Sequence, residues 1–188
     1  GPGTGKTFTL VQRALYMIQE CGVKPEQIMM ATFTEKAAKE LVTRITNELF
    51  TRNIVVNIND MYIGTFHSLC LRIIKEHLEF TYLKRNYRTL DAFDQSYMVF
   101  QNINKFKAIE DVSSMFPLSS WKMAQEICAY VNNLKEELVK PETLINDNDS
   151  DLRKKTLGIV LEVYENIMEE NNLVDFSSIQ VEAYRLMK

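Results

Sequence analysis

Apolar residues recur at helical spacing from the start of the chain, at Phe8, Leu10, Val11, Leu15 and Ile18. They predict a helix to about Glu20, which Gly22 and Pro25 bring to an end. The run QIMMAT at 27–32 is apolar and of strand length. It is followed by one helical stripe, Ala38, Leu41, Val42, Ile45 and Leu49, between Glu35 and Phe50. A second strand-length run, MYIGT at 61–65, leads into a helix that carries Leu69, Cys70, Ile73 and Ile74. Strand and helix in alternation predict a parallel sheet in an α/β layer fold. Beyond about residue 87 the period stays helical, over 91–103, 119–138, 151–171 and 175–187, with Asp91 and Ser119 at N-cap positions. The polar stretch PETLINDNDS from Pro141 predicts a loop. A parallel sheet needs more than two strands, so the helical block reads as an insertion that interrupts the α/β core.

Composition adds limits. A chain of 188 residues, 46% hydrophobic, suits one compact domain or one domain with an insertion. It has no run of 18 apolar residues and no basic-then-apolar leader, so a membrane or secretory protein is not expected. Cys21, Cys70 and Cys128 form no CxxC pair, and they predict reduced, buried thiols of a cytosolic protein. The net charge is −3, but it is unevenly spread. Residues 1–90 carry 12 Lys and Arg against 8 Asp and Glu, and residues 91–188 carry 10 against 17. Contacts with a phosphate backbone are therefore expected in the first half.

The chain opens GPGTGKT, the later part of a G-x-x-x-x-G-K-[ST] phosphate loop. Gly1, Gly3 and Gly5 lack a Cβ, which lets the backbone turn its N–H groups toward phosphate oxygens. Pro2, Thr4 and Phe8 complete the candidate cradle. Thr7 begins a helix whose N-terminus favours an anion. Lys6 suits the β and γ phosphates, and the Thr7 hydroxyl suits Mg²⁺. Bound ATP with Mg²⁺ is the expectation. The alternative, a glycine-rich turn before an ordinary helix, fits the GKT tripeptide and its alternate glycines poorly.

Two further stretches are ATFTEKAAKEL from Ala31 and GTFHSLC from Gly64. Following GPGTGKT in this order, they resemble motifs I, Ia and TFHS of superfamily 1 DNA helicases of the UvrD/Rep/PcrA type. NLVDFSSI from Asn172 is similar to the NLxDFxDL stretch with which that family returns from its helical insertion. The resemblance covers nearly the whole chain. It implies an α/β fold, a partial RecA-like phosphate-loop domain over 1–86, a helical insertion over 87–172, and a return to the core over 173–188.

It also implies roles. Thr32, Phe33, Thr34 and Lys36 match positions that face single-stranded DNA, and Thr65 and His67 match contacts to the DNA backbone. Phe33 is chemically fit to stack on a base, and Thr hydroxyls and Lys36 to hold phosphate. A core aromatic at a strand end is the alternative for Phe33, and a helix-start histidine without ligand is the alternative for His67. Glu35 departs from the family, which usually has Asn there. A carboxylate beside phosphate is repulsive, and capping the helix is its other possible use. Arg13 reads as a solvated or salt-bridged helix residue, His77 as a surface or packing residue, Trp121 as core, and Arg153-Lys154-Lys155 as a charged helix start.

In this family an acidic motif of the form DExQD and later arginines complete ATP hydrolysis, together with a second RecA-like domain. No DExQD string occurs here. The expectation is a fragment of a longer helicase that acts on single-stranded and duplex DNA in repair or recombination, inactive in isolation. A repair helicase and the motor of a helicase–nuclease complex are not distinguished. The competing readings are another phosphate-loop ATPase or kinase, which would not require ATFTEKAA or GTFHSLC, and a non-catalytic interaction module built on the helical block.

Overall fold

A computed structural model describes residues 5–117, 119–146 and 151–188. The chain is mixed α/β, mostly helical with small parallel sheets, and is compatible with a partial RecA-like domain. It forms two compact units, one ending at Arg72 and the other beginning at Ile73.

The first unit holds α1 (Lys6–Gln19), β1 (Met29–Thr32), α2 (Glu35–Thr51), β2 (Tyr62–Thr65) and the start of α3 (Phe66–Glu76). β1 and β2 pair in parallel, with Met29 opposite Tyr62 and Thr32 opposite Thr65. The predicted α2 stripe is buried except for half-buried Val42, whereas of the predicted α1 residues Val11 and Leu15 are buried, Ile18 is half-buried and Phe8 and Leu10 are exposed. Leu41, Ile45 and Leu49 of α2 meet Val11, Ala14 and Leu15 of α1, with Ile28 and Met61 at the strand starts. Arg52, just past α2, ties the two helices together: its guanidinium donates to Gln12 (2.6 Å) and Gln19 (2.9 Å) of α1 and to Glu48 (3.2 Å). Gly64 lies where β2 passes closest to α3. A Cβ there would run into Ser68 Oγ, so the close approach of strand end and helix favours glycine.

The second unit continues with β3 (Arg88–Leu90), α4 (Ala92–Gln101), α5 (Ile103–Lys107), α6 (Val112–Met115), α7 (Ser120–Glu136), α8 (Pro141–Ile145), α9 (Leu152–Glu170), β4 (Leu173–Asp175) and α10 (Phe176–Leu186). Its core is built from α4, α7 and α9, with Val99, Phe106, Ile127, Leu161 and Tyr164 fully buried. Asp91 caps α4, its carboxylate accepting the Asp94 N–H at 2.8 Å. Ser119 occupies the N-cap of α7 without a side-chain bond to it.

Several features differ from the sequence expectation. The second parallel pair, β3 with β4, sets Arg88 opposite Leu173 and Leu90 opposite Asp175. Three-residue strands are too short to show a period, so helical stripes on either side conceal them. The expected loop at Pro141 begins with a helical turn, α8, because proline is well placed at a first helical position. α8 packs on α9 at Gly158, where an added Cβ would come within 2.9 Å of Leu144 and Ile145. Cys70 and Cys128 are buried as expected, but Cys21 is exposed in the turn after α1.

A polar network crosses the second core. The Lys135 ammonium lies 3.1 Å from Asp175 Oδ2 and donates to Ser178 Oγ at 2.7 Å. The Tyr164 hydroxyl donates to Asp175 Oδ2 at 2.6 Å, and the Ser178 N–H donates to Oδ1 at 2.7 Å. Gln95 donates to Tyr164 at 2.8 Å and exchanges bonds with Asn132. Burial alone would raise the Asp175 pKa. Lys135 and the donors around it outweigh that and hold it below the usual carboxylate value.

Candidate functional site

Gly1, Pro2, Gly3 and Thr4 lie outside the described residues. Gly5 sits at the N-cap of α1 with φ 74° and ψ 0°, a left-handed conformation that favours glycine. Its side provides no cap, and the first turn of α1 carries no acidic residue, so the positive end of the helix meets no competing carboxylate there. The Gly5 carbonyl accepts the Thr9 N–H (2.9 Å) and hydroxyl (3.1 Å), which fixes the turn before Lys6. Lys6 and Phe8 are exposed and Thr7 is half-buried. This donor set fits a bound polyphosphate: free helix N–H groups, an exposed ammonium and a hydroxyl one residue on.

The other candidates gather at the carboxyl ends of β1 and β2, where open α/β sheets bind their ligands. The register places Thr32 beside Thr65. Thr32 donates its hydroxyl to the Thr34 carbonyl at 3.0 Å, with the Gly64 carbonyl at 3.4 Å. Thr34 caps α2, accepting the Ala37 N–H at 3.1 Å. Thr65 accepts the Ser68 N–H at 3.2 Å, the same device at the start of α3.

The two motifs are joined by the residue that departs from the family pattern. Thr65 donates its hydroxyl to Glu35 Oε1 at 2.9 Å. Glu35 therefore does not cap α2, a role taken by Thr34. Its carboxylate binds across the two strand ends, in the first turn of α2, where negative charge is favoured. Gly64 and Ser68 thus organise the site without having been singled out for it, the glycine inside a strand pattern being the available signal, while Glu35, noted as a departure from the family pattern, does so by taking the Thr65 hydroxyl.

Phe33 is 104% exposed, so it is not a core aromatic. Its ring stands free just past β1, with exposed Lys36 in the first turn of α2 behind it. His67 is half-buried in the first turn of α3, and that burial lowers its pKa, favouring the neutral ring. Thr32, Thr34 and Thr65 are thus linked through one another and Glu35, whereas Phe33 and Lys36 project beside them. Lys6 and Thr7 belong to a separate element, α1. Arg13, His77, Arg153 and Lys154 are exposed, and Trp121 is half-buried among aromatic rings rather than in the core. No helix among the described residues is long and apolar enough to cross a membrane.

The family model for the UvrD/REP helicase N-terminal domain matches residues 1–188. The chain is 30% identical over 200 residues to the ATP-dependent DNA helicase SRS2 of Saccharomyces cerevisiae, covering 100% of this chain and 17% of that protein. It is 30% identical over 191 residues to a probable DNA helicase II homolog of Mycoplasma capricolum, covering 100% of this chain and 24% of that protein. With DNA helicase II of Haemophilus influenzae the figures are 29% over 188 residues, 100% and 24%. The chain thus spans a quarter or less of the length of these three relatives.

Proposed function

Since the chain belongs to the UvrD/REP helicase N-terminal domain family, we propose that it is the part of an ATP-dependent DNA helicase that holds ATP–Mg²⁺ and grips single-stranded DNA. One observation carries the reading. Two strand ends in register bring Thr32, Thr34 and Thr65 into one hydrogen-bonded cluster, beside a phenylalanine ring that the fold leaves wholly exposed. An aromatic face stacks on any base and hydroxyls hold phosphate, so the cluster suits a strand gripped without regard to sequence.

In this reading the Gly5 turn, Lys6 and Thr7 hold the triphosphate and its Mg²⁺, with Gly1 and Gly3 as the rest of the cradle. ATP supplies the free energy for movement along the strand. Lys6 neutralises phosphate charge, and Thr7 offers its hydroxyl to the metal. Phe33 stacks on a base, Lys36 and the threonines take the backbone, with Thr32 and Thr65 turning their hydroxyl protons from Thr34 and Glu35 to phosphate, and neutral His67 contributes a hydrogen bond rather than a charge. Hydrolysis and unwinding require the acidic motif and the second RecA-like domain, which we place elsewhere in the parent helicase, a cytoplasmic protein acting on DNA in repair or recombination.

The test is fluorescence anisotropy of a labelled single-stranded oligonucleotide with the 188-residue chain. Phe33→Ala is expected to weaken binding by roughly 5- to 150-fold, the equivalent of about 1–3 kcal/mol for one stacked base. Unchanged affinity in Phe33→Ala, with the fold intact by circular dichroism, would exclude this grip.

A further inference from the structure

A second surface with nucleic-acid chemistry lies in the other unit, well outside motifs I, Ia and TFHS in the sequence. Four aromatic side chains of α4 and α7 form a continuous row. Phe93 and Tyr97 are parallel within 5°, their centroids 6.3 Å apart. Phe93 meets Trp121 at 5.7 Å, and Phe100 meets Trp121 edge-on at 5.6 Å. Phe93 is 65% exposed and Tyr97 45%.

Tyr97 also belongs to an open cleft of about 410 Å³ between α4 and the β3–β4 pair. Its wall includes Arg88, Asp94 and the carboxamides of Gln101, Asn102 and Asn172; Asn102 donates to the Met98 carbonyl at 2.9 Å and Asn172 to Asn86 Oδ1 at 3.1 Å, so exposed Gln101 offers the principal carboxamide edge. Asn172 is held in a left-handed conformation, φ 53°, with its side-chain oxygen accepting the Lys84 N–H at 2.8 Å. Carboxamides both donate and accept, which matches the mixed edge of a nucleobase. Asp94 accepts from an exocyclic amino group and repels phosphate, so the base edge rather than the backbone belongs at that wall. Two cations adjoin the surface: Arg88 lines the cleft, and the Lys107 ammonium donates at 2.9 Å to the hydroxyl of Ser120, the residue before Trp121.

We propose that this surface binds an unpaired nucleotide of single-stranded DNA, its base stacked on the Phe93–Tyr97 face, its edge on the carboxamide wall, and its flanking phosphates near Arg88 and Lys107. The acidic second half of the chain limits the contact to one or two nucleotides, since it offers no continuous basic track. The site shares no residue with the strand-end cluster, and the proposal does not rest on it.

Trp121 is the single tryptophan of the chain, so its emission reports this surface directly. A short oligodeoxyadenylate titrated into the 188-residue chain is expected to quench Trp121. Phe93→Ala is expected to shift the midpoint roughly tenfold, and Gln101→Ala, at an exposed position, to shift it severalfold. Phe33→Ala should leave that midpoint within about twofold, although it weakens anisotropy-detected binding if the strand-end grip is correct. Circular dichroism melts establish that each variant is folded. Absence of a quench at saturating oligonucleotide overturns the proposal. So does a quench unchanged in both Phe93→Ala and Gln101→Ala, or one lost in Phe33→Ala. Equal affinity for free dAMP and for the oligonucleotide overturns the assignment to a strand.

Discussion

Lys135→Met tests whether the second unit depends on its buried polar network. The Lys135 and Asp175 side chains are 7% and 2% exposed and lie 3.1 Å apart. Exposed pairs contribute about 0–1 kcal/mol, so this pair belongs to a different regime. At an effective dielectric constant of about 20, two charges at 3.1 Å attract by about 5 kcal/mol. Removing one partner of a buried pair costs about 3–5 kcal/mol, because the other charge remains without compensation. Against a typical domain stability of about 5–15 kcal/mol, that is a third or more.

Urea denaturation followed by Trp121 emission reads this out in the unit that holds the pair. Lys135→Met should lower the midpoint by the equivalent of about 3–5 kcal/mol at neutral pH. Lys135→Met/Asp175→Asn should recover roughly half, since Asn removes the stranded charge and keeps an acceptor for the Ser178 N–H that caps α10. The pH dependence has a definite sign. In the unsubstituted chain the Asp175 pKa is lowered, so its stabilisation is present above the ordinary carboxylate value and lost as pH falls through the lowered one. Without Lys135, burial dominates and raises that pKa. The carboxyl then takes up a proton on mild acidification, and the penalty of the single variant shrinks. A Lys135→Met variant within about 1 kcal/mol of the parent chain, or a double variant less stable than the single, would refute the reasoning.

Two other substitutions probe packing and the strand-end cluster. Gly158→Ala would stabilise an exposed helix by about 1 kcal/mol. Here its Cβ meets Leu144 and Ile145 at 2.9 Å and the Pro141 carbonyl at 3.1 Å, so a lower melting temperature and a net loss of about 1 kcal/mol are expected by thermal denaturation. Glu35→Gln keeps an acceptor for the Thr65 hydroxyl but removes a negative charge beside the proposed DNA backbone; single-stranded DNA affinity by anisotropy should rise about two- to fivefold, whereas a loss would mean that the carboxylate's hold on Thr65 matters more than its repulsion.

Long elements were legible in the sequence because a helix that buries one face must repeat its apolar residues every three or four positions. The stripes of α1, α2, α7 and α9 follow that rule, and each structural boundary falls within about two residues of the predicted one. The parallel pairing of β1 with β2 followed from the strand–helix alternation, since the joining helix forces a crossover. GKT, ATFTEKAA and GTFHSLC marked the candidate chemistry because such sites need particular side chains at fixed spacing.

Contacts between residues distant in sequence were not legible. Nothing local indicates that Glu35 will take the hydroxyl of Thr65, thirty residues away, rather than cap its own helix. Three-residue β3 and β4 become strands only because Arg88 and Leu173 are brought side by side. The same holds for Lys135 and Asp175, charged residues forty positions apart that are buried because each meets the other. Local sequence thus determined which segments are helices and strands, and which residue types the candidate sites offer. Only the tertiary structure decided which polar groups satisfy one another, because a buried hydrogen bond or ion pair depends on a partner that the chain supplies from elsewhere.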